Sequence, residues 1–195
     1  MNMNMSAVST TEWISIIAVI VVVAIVIAAV ALRRKSRTGK LRTQFGDAEY
    51  ARAVAKGGNR REAEAGLEGR TQRVEGLQVR ALAAGDRARF EETWRGVQGR
   101  FIDGPAGAVS EADQLLGDVM SARGYPVGDF EQRAADISVD HSVVLENYRT
   151  AHEIAVRQTQ GRANTEDLRQ AMVHYRTLFE ELVSGPVVVG AKATA

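Results

Sequence analysis

Three histidines and one neighbouring acid are the residues whose types suit them to chemistry. Asp140 and His141 are adjacent, His152 lies eleven positions further on, and His174 stands in a later segment. An imidazole near a carboxylate can act as a general base or hold a divalent metal, because a neutral ring nitrogen accepts a proton or a cation near pH 7. On a single helix, eleven steps of 100° return His152 to within about 20° of His141, so the two share a face. The same eleven steps separate them by about 16 Å along the axis, too far for two ligands each about 2 Å from one ion. Any convergence, with His174 included, requires tertiary packing that the spacing does not specify. The simpler reading makes Asp140 an N-cap, His141 a first-turn residue and His152 a helix-face residue bonding across a bundle.

Other chemistries lack their residues. The chain has no cysteine, which removes disulfides, Cys-ligated zinc and thiol nucleophiles together. No glycine-rich phosphate loop, metalloprotease helix motif or nucleophile elbow occurs. Adjacent acids such as Glu91-Glu92 and Glu180-Glu181 diverge on a helix and read as solvated faces. No catalytic residue, metal ligand or cofactor is therefore assigned. An enzyme or metal-binding domain that uses Asp140, His141, His152 and His174 stands as the alternative.

The elements that would position these residues are helical almost throughout. From Leu41 onward, apolar residues recur at three and four rather than alternating. Leu41, Phe45, Ala48, Arg52 and Ala55 sketch one helix closed by Gly57-Gly58, and Asn59 to Glu62 has capping-box spacing. Arg60 to Leu82 is rich in Arg and Glu, with Leu67, Val74, Leu77 and Ala81 at heptad-like intervals. Gly66, Gly69 and Gly76 weaken it as a helix and read as tolerated defects.

Asp86 reads as the N-cap of a helix bearing Phe90, Trp94, Val97 and Phe101, an aromatic stripe that belongs to a core rather than to a ligand box. Asp103-Gly104-Pro105 ends it, and Val109, Ala112, Leu116 and Val119 carry the next helix to the Arg123–Pro126 turn. Phe130, Ala134 and Ile137 mark a short helix. Ser138 or Asp140 then caps a longer one with Val144, Tyr148, Ala151 and Ala155. A loop over 161–164 precedes a last helix, capped by Asn164 or Thr165, with the stripe Leu168, Met172, Tyr175, Phe179 and Leu182. Ser184-Gly185-Pro186 stops it.

Ahead of all this, Trp13 to Leu32 is an apolar run with no charge and Ser15 as its one polar residue. Twenty residues at about 1.5 Å each cover roughly 30 Å, the hydrocarbon thickness of a bilayer. Apolar residues on every face suit lipid rather than one side of a soluble fold. Ala29-Val30-Ala31 has the form of a signal-peptide cleavage site. However, the first twelve residues carry no Lys or Arg, and the run exceeds the roughly 7–15 residues of a signal core. The expectation is an uncleaved membrane span.

Arg33, Arg34, Lys35, Arg37, Lys40 and Arg42 all follow the run. They place the C-terminal part in the cytoplasm and the N-terminus outside, and they can meet lipid headgroups. Trp13 suits the outer interface. The organisation expected is a tail over 1–12, a transmembrane helix over 13–32, a basic segment over 33–42, a helical domain over 43–183 and a loose tail over 184–195. The fold class is all-α, one transmembrane helix followed by a bundle of about six to seven helices.

Charge is distributed unevenly. The first 42 residues hold six Lys or Arg against Glu12, leaving nineteen bases and twenty-three acids in the remainder. That acidic balance argues against nucleic acid as a partner, since neutralising phosphates needs a clustered positive surface.

The stretches Leu41–Gly46 with Glu49-Tyr50, Trp94–Phe101, Arg123–Pro126, Ser138–His141 and Tyr148–His152, in this order, resemble a family of uncharacterised bacterial single-pass membrane proteins. Its members, often labelled hypothetical or secreted, have a short outer tail, one span and a helical domain. The resemblance covers roughly 41–183 and implies no activity, substrate or catalytic residue. The partners expected are thus the lipid bilayer and either a second protein or another copy of the chain. An exported domain, tethered or cleaved, is the reading with the opposite topology.

Overall fold

The computed structural model describes residues 10–185, so most of the two expected tails, 1–9 and 186–195, lies outside the described residues. Among the described residues the secondary structure is all helical, in seven elements: α1 (Thr10–Gly57), α2 (Arg60–Glu75), α3 (Ala84–Arg100), α4 (Pro105–Ala122), α5 (Phe130–Asp140), α6 (Ser142–Thr159) and α7 (Thr165–Ser184). The chain divides into two units, Met1–Lys40 and Leu41–Ala195.

In the first unit α1 exposes every side chain from residue 17 to residue 32, and Trp13 is also exposed. This helix is long and apolar enough to cross a membrane.

The second unit is organised around α7. Asn164 and Asp167 form a reciprocal capping box, each side chain accepting the other's backbone N–H at 2.9 Å. The cap fixes the helix start, and Glu166 and Asp167 complement the positive end of its dipole. From there Leu168, Met172, Tyr175, Phe179 and Leu182 all face inward, with Ala171, Leu178 and Val183 beside them. They pack against α6, α4 and α3. Trp94 of α3 stacks on Phe179 at 4.8 Å with the rings 15° from parallel, so the aromatic stripe of α3 is core as its spacing implies. α4 contributes Val109, Ala112, Leu116 and Val119 to the same cluster.

A second, much smaller apolar cluster consists of Leu41, Phe45, Tyr50 and Leu67, with Val139 packed on it. It joins residues 41–57 to α2. Here the sequence stripe changes register, because α1 breaks at Gly46, whose φ of 77° and ψ of 158° lie outside the helix. Ala48 and Ala55 are consequently exposed and Arg52 half-exposed, while Glu49 and Tyr50 turn inward.

Three further boundaries differ from expectation. α2 ends at Glu75, with the Gly76 N–H bonded to Gln72 and Arg73 carbonyls, so the heptad spacing does not reach Leu82. Residues 77–83 instead cross beside the end of α4, where the Arg80 N–H meets the Arg123 carbonyl at 2.8 Å. Glycine is required at 124 for this approach: its φ is 97°, and a Cβ would stand 2.5 Å from the Gln78 carbonyl oxygen. Asp86 is not the cap of α3. The helix starts two residues earlier at Ala84, and Asp86 pairs with Arg89 in the first turn.

Asp140 and Ser138 do not cap α6 either, because α5 runs into α6 with His141 alone between them. Ser138 lies inside α5 and returns its hydroxyl to the Ala135 carbonyl at 2.6 Å. The residue that does cap α5 is Asp129, which accepts the Gln132 N–H at 2.8 Å.

The glycines of the 41–75 region should respond in opposite directions. Gly46→Ala places a side chain in a glycine-only conformation and is expected to cost about 1–3 kcal/mol. Gly66→Ala sits in a helix interior with open space around the new Cβ and should add about 0.4–1 kcal/mol. Chemical denaturation of the full chain in detergent measures both, and equal effects would contradict the Gly46 geometry.

Candidate functional site

The four residues singled out for chemistry occupy separate places. Asp140, at the end of α5, accepts the Tyr125 hydroxyl at 3.2 Å. Its carboxyl is pushed upward by burial, partly offset by the Tyr125 hydrogen bond and the His141 and Arg123 charges. His141 is buried at the α5–α6 junction, with Nδ1 3.1 Å from Glu181 on α7. His174 pairs with Asn147 at 2.9 Å, a contact between α7 and α6. His152 stacks on Phe130, rings 3.5 Å apart and 4° from parallel. Each histidine therefore joins helices, whereas Asp140 meets Tyr125 in the segment between α4 and α5. Among the described residues no group of three or more His, Cys, Asp or Glu side chains is placed to hold a metal.

The main polar constellation lies elsewhere and begins with Glu49, 2% exposed. Arg70 of α2 donates to Oε1 at 2.6 Å, Arg149 of α6 to both carboxylate oxygens at 3.2 Å, and Arg52 to Oε2 at 2.9 Å. Burial raises the cost of the Glu49 charge. The Arg70 bond, the Arg149 charge and the Arg52 bond outweigh it, holding the carboxyl below its ordinary range. The guanidiniums are shared onward: Arg52 reaches Glu146 at 3.0 Å and Arg149 reaches Glu131 at 3.4 Å.

Further along the seam, Arg73 of α2 makes two bonds, at 2.9 and 2.7 Å, to the fully buried Asp136 of α5. Gln132 also donates to Asp136. Residues 47–57 and α2 are thus fastened to α5 and α6 by ions more than by apolar area. Sequence reading left Glu49, Arg149, Arg70, Arg73 and Asp136 unassigned. The available signal was Glu49-Tyr50 beside the stripe begun by Leu41 and Phe45, interpretable only once the break at Gly46 is known.

Beside this seam a groove of about 590 Å³ is lined by Arg52, Lys56, Phe130, Glu131, Arg149 and His152, among others. The Phe130–His152 stack gives it a flat apolar wall. Its charges are mixed, since Asp129 and Glu153 also face it. Burial holds His152 below its ordinary range; the Asp113, Glu131 and Glu153 charges pull it upward and Arg133 pushes it further down. A stacked aromatic wall under balanced charges can seat side chains of either sign.

No family model matches the chain, and no curated protein or solved structure does.

Glu49→Gln leaves three guanidiniums around a neutral amide. It is expected to destabilise the domain by about 3–5 kcal/mol, the usual cost of stranding buried charge. Because Glu49 titrates lower when folded, its contribution is complete above about pH 4.5 and disappears as pH falls through the folded value. Acid denaturation of the Gln variant should accordingly start from lower stability and depend less on pH in that window.

His152 acts in the same direction at higher pH. Its depressed folded value means that stability present above about pH 6.5 declines below it, as protonation favours the unfolded chain. His152→Phe retains a stacking ring and should reduce the loss of melting temperature between pH 7.5 and 5.5. An unchanged loss would show that His152 does not contribute.

Proposed function

We propose that this chain is a single-pass membrane protein whose helical domain serves as a protein-binding module, or as a self-associating one, at the cytoplasmic face. The observation that carries the reading is the contrast within the chain. An apolar helix has no buried described side chain over residues 17–32, whereas the unit that begins at Leu41 buries its own core. Apolar area of that extent is stable when lipid covers it. The Lys and Arg residues that follow the helix support the cytoplasmic orientation.

Binding rather than catalysis is supported by the polar side chains. His141, His174 and the Glu49 ions are engaged in joining helices, and Asp140 is engaged with Tyr125 of the α4–α5 connection. A surface suited to a partner is the mixed-charge groove at Phe130 and His152, whose aromatic wall and paired charges fit a folded polypeptide surface.

Two measurements test the reading. A C-terminal reporter active only in the cytoplasm should report, and the protein should resist alkaline extraction from membranes; an external reporter signal would reverse the topology. Crosslinking in intact cells should trap a specific protein or a homo-oligomer. A paired Phe130→Ala and Lys56→Glu change should weaken that product at least several-fold. Complete absence of any crosslinked species would overturn the binding-module reading.

A further inference from the structure

Resting on the reading of α1 as a span, we infer that Arg33, Arg37 and Lys40 form one face that binds anionic phospholipid headgroups. α1 remains helical beyond the apolar run, its break coming only at Gly46. At 100° per residue, Arg37 lies about 40° from Arg33 and Lys40 about 20° to the other side, so three consecutive turns present cations along an arc of about 60°. Lys35 falls on the opposite side. Arg33, Lys35, Arg37 and Lys40 are all exposed.

The axial spacing fits the headgroup layer. A bilayer with a core of about 30 Å and a total thickness of about 40–45 Å has a polar layer of about 5–8 Å on each side. Arg37 stands about 6 Å and Lys40 about 10 Å beyond Arg33 along the helix. With Arg33 at the hydrocarbon edge, Arg37 lies within the phosphate layer, and the long Lys40 side chain can reach back into it. Neighbouring cations one turn apart can share a single phosphate. No Asp or Glu occurs between residues 13 and 46, so the segment brings no carboxylate of its own.

Arg42 serves a different purpose. Its guanidinium lies 5.0 Å from the Tyr50 ring centre and 3.7 Å from Asp47, contacts within the second unit. The basic run therefore separates into a lipid-facing set and a residue belonging to the domain. A topology signal depends on the number of positive charges near a span and not on their angular position. The shared face of Arg33, Arg37 and Lys40 is what points to lipid recognition.

The test uses the full chain reconstituted into vesicles of equal phosphatidylglycerol and phosphatidylcholine, with spin-labelled versions of each lipid reporting on the first lipid shell. Both leaflets have the same composition, so orientation does not affect the result. The wild-type chain should select phosphatidylglycerol several-fold, and 1 M salt should remove most of that selectivity. The triple change R33Q/R37Q/K40Q should reduce selectivity to near unity, K35Q should retain most of it, and the charge-conserving R33K should preserve it.

Equal loss in K35Q and the triple variant would overturn the shared face, as would a triple variant that selects like the wild type. Flotation after alkaline washing separates this from the underlying reading. A chain that stays in the vesicles without lipid preference refutes only the headgroup site, whereas one that washes off refutes the span and the site together.

Discussion

A carboxylate placed in a protein interior must either give up its charge or be surrounded by cations, and Glu49 has taken the second course. Arg52 comes from its own helical segment, Arg70 from α2 and Arg149 from α6, so neutralising one charge brings three segments together. Arg149 extends the arrangement to Glu131 of α5. The apolar cluster of Leu41, Phe45, Tyr50 and Leu67 is small, and the ionic seam is what gives residues 41–75 a defined seat. The position of Lys56 and Arg52 at the groove, and hence the groove's shape, follows from it.

The rest of the second unit is held by a different force. Around α7, nearly every inward position is aliphatic or aromatic, and burying such area is non-directional and additive. Ions behave otherwise: a buried pair is close to neutral when intact and costly when one member is lost. The domain therefore combines a core that tolerates gradual change with a seam that fails when one partner is removed. The polar side chains best suited to chemistry are used at helix junctions: His141 to Glu181, His174 to Asn147 and His152 on Phe130.

Legibility differed with the kind of interaction. The stripe on α7 and the aromatic residues of α3 were readable because a period of 3.6 and large apolar side chains leave few packing alternatives. Asn59 and Asn164 were readable as caps because a cap bonds within three residues of itself. Asp86, Ser138 and Asp140 have the same side-chain types but different roles, since the helix starts at Ala84 and Ser142 depend on how the chain enters from elsewhere. Arg149 and Glu49 are one hundred positions apart, a separation at which local pattern carries no information about pairing.

By itself, the sequence determined the helical class, the apolar run with its basic flank, and the residues of the main core. Each is a matter of composition or of periodicity over a few turns. Only the tertiary structure decided that the histidines hold different junctions, that the left-handed backbone at Gly46 turns Glu49 inward, and that three distant guanidiniums meet it there. Those outcomes depend on which helices become neighbours, and contacts between residues far apart in the chain leave no trace in local pattern.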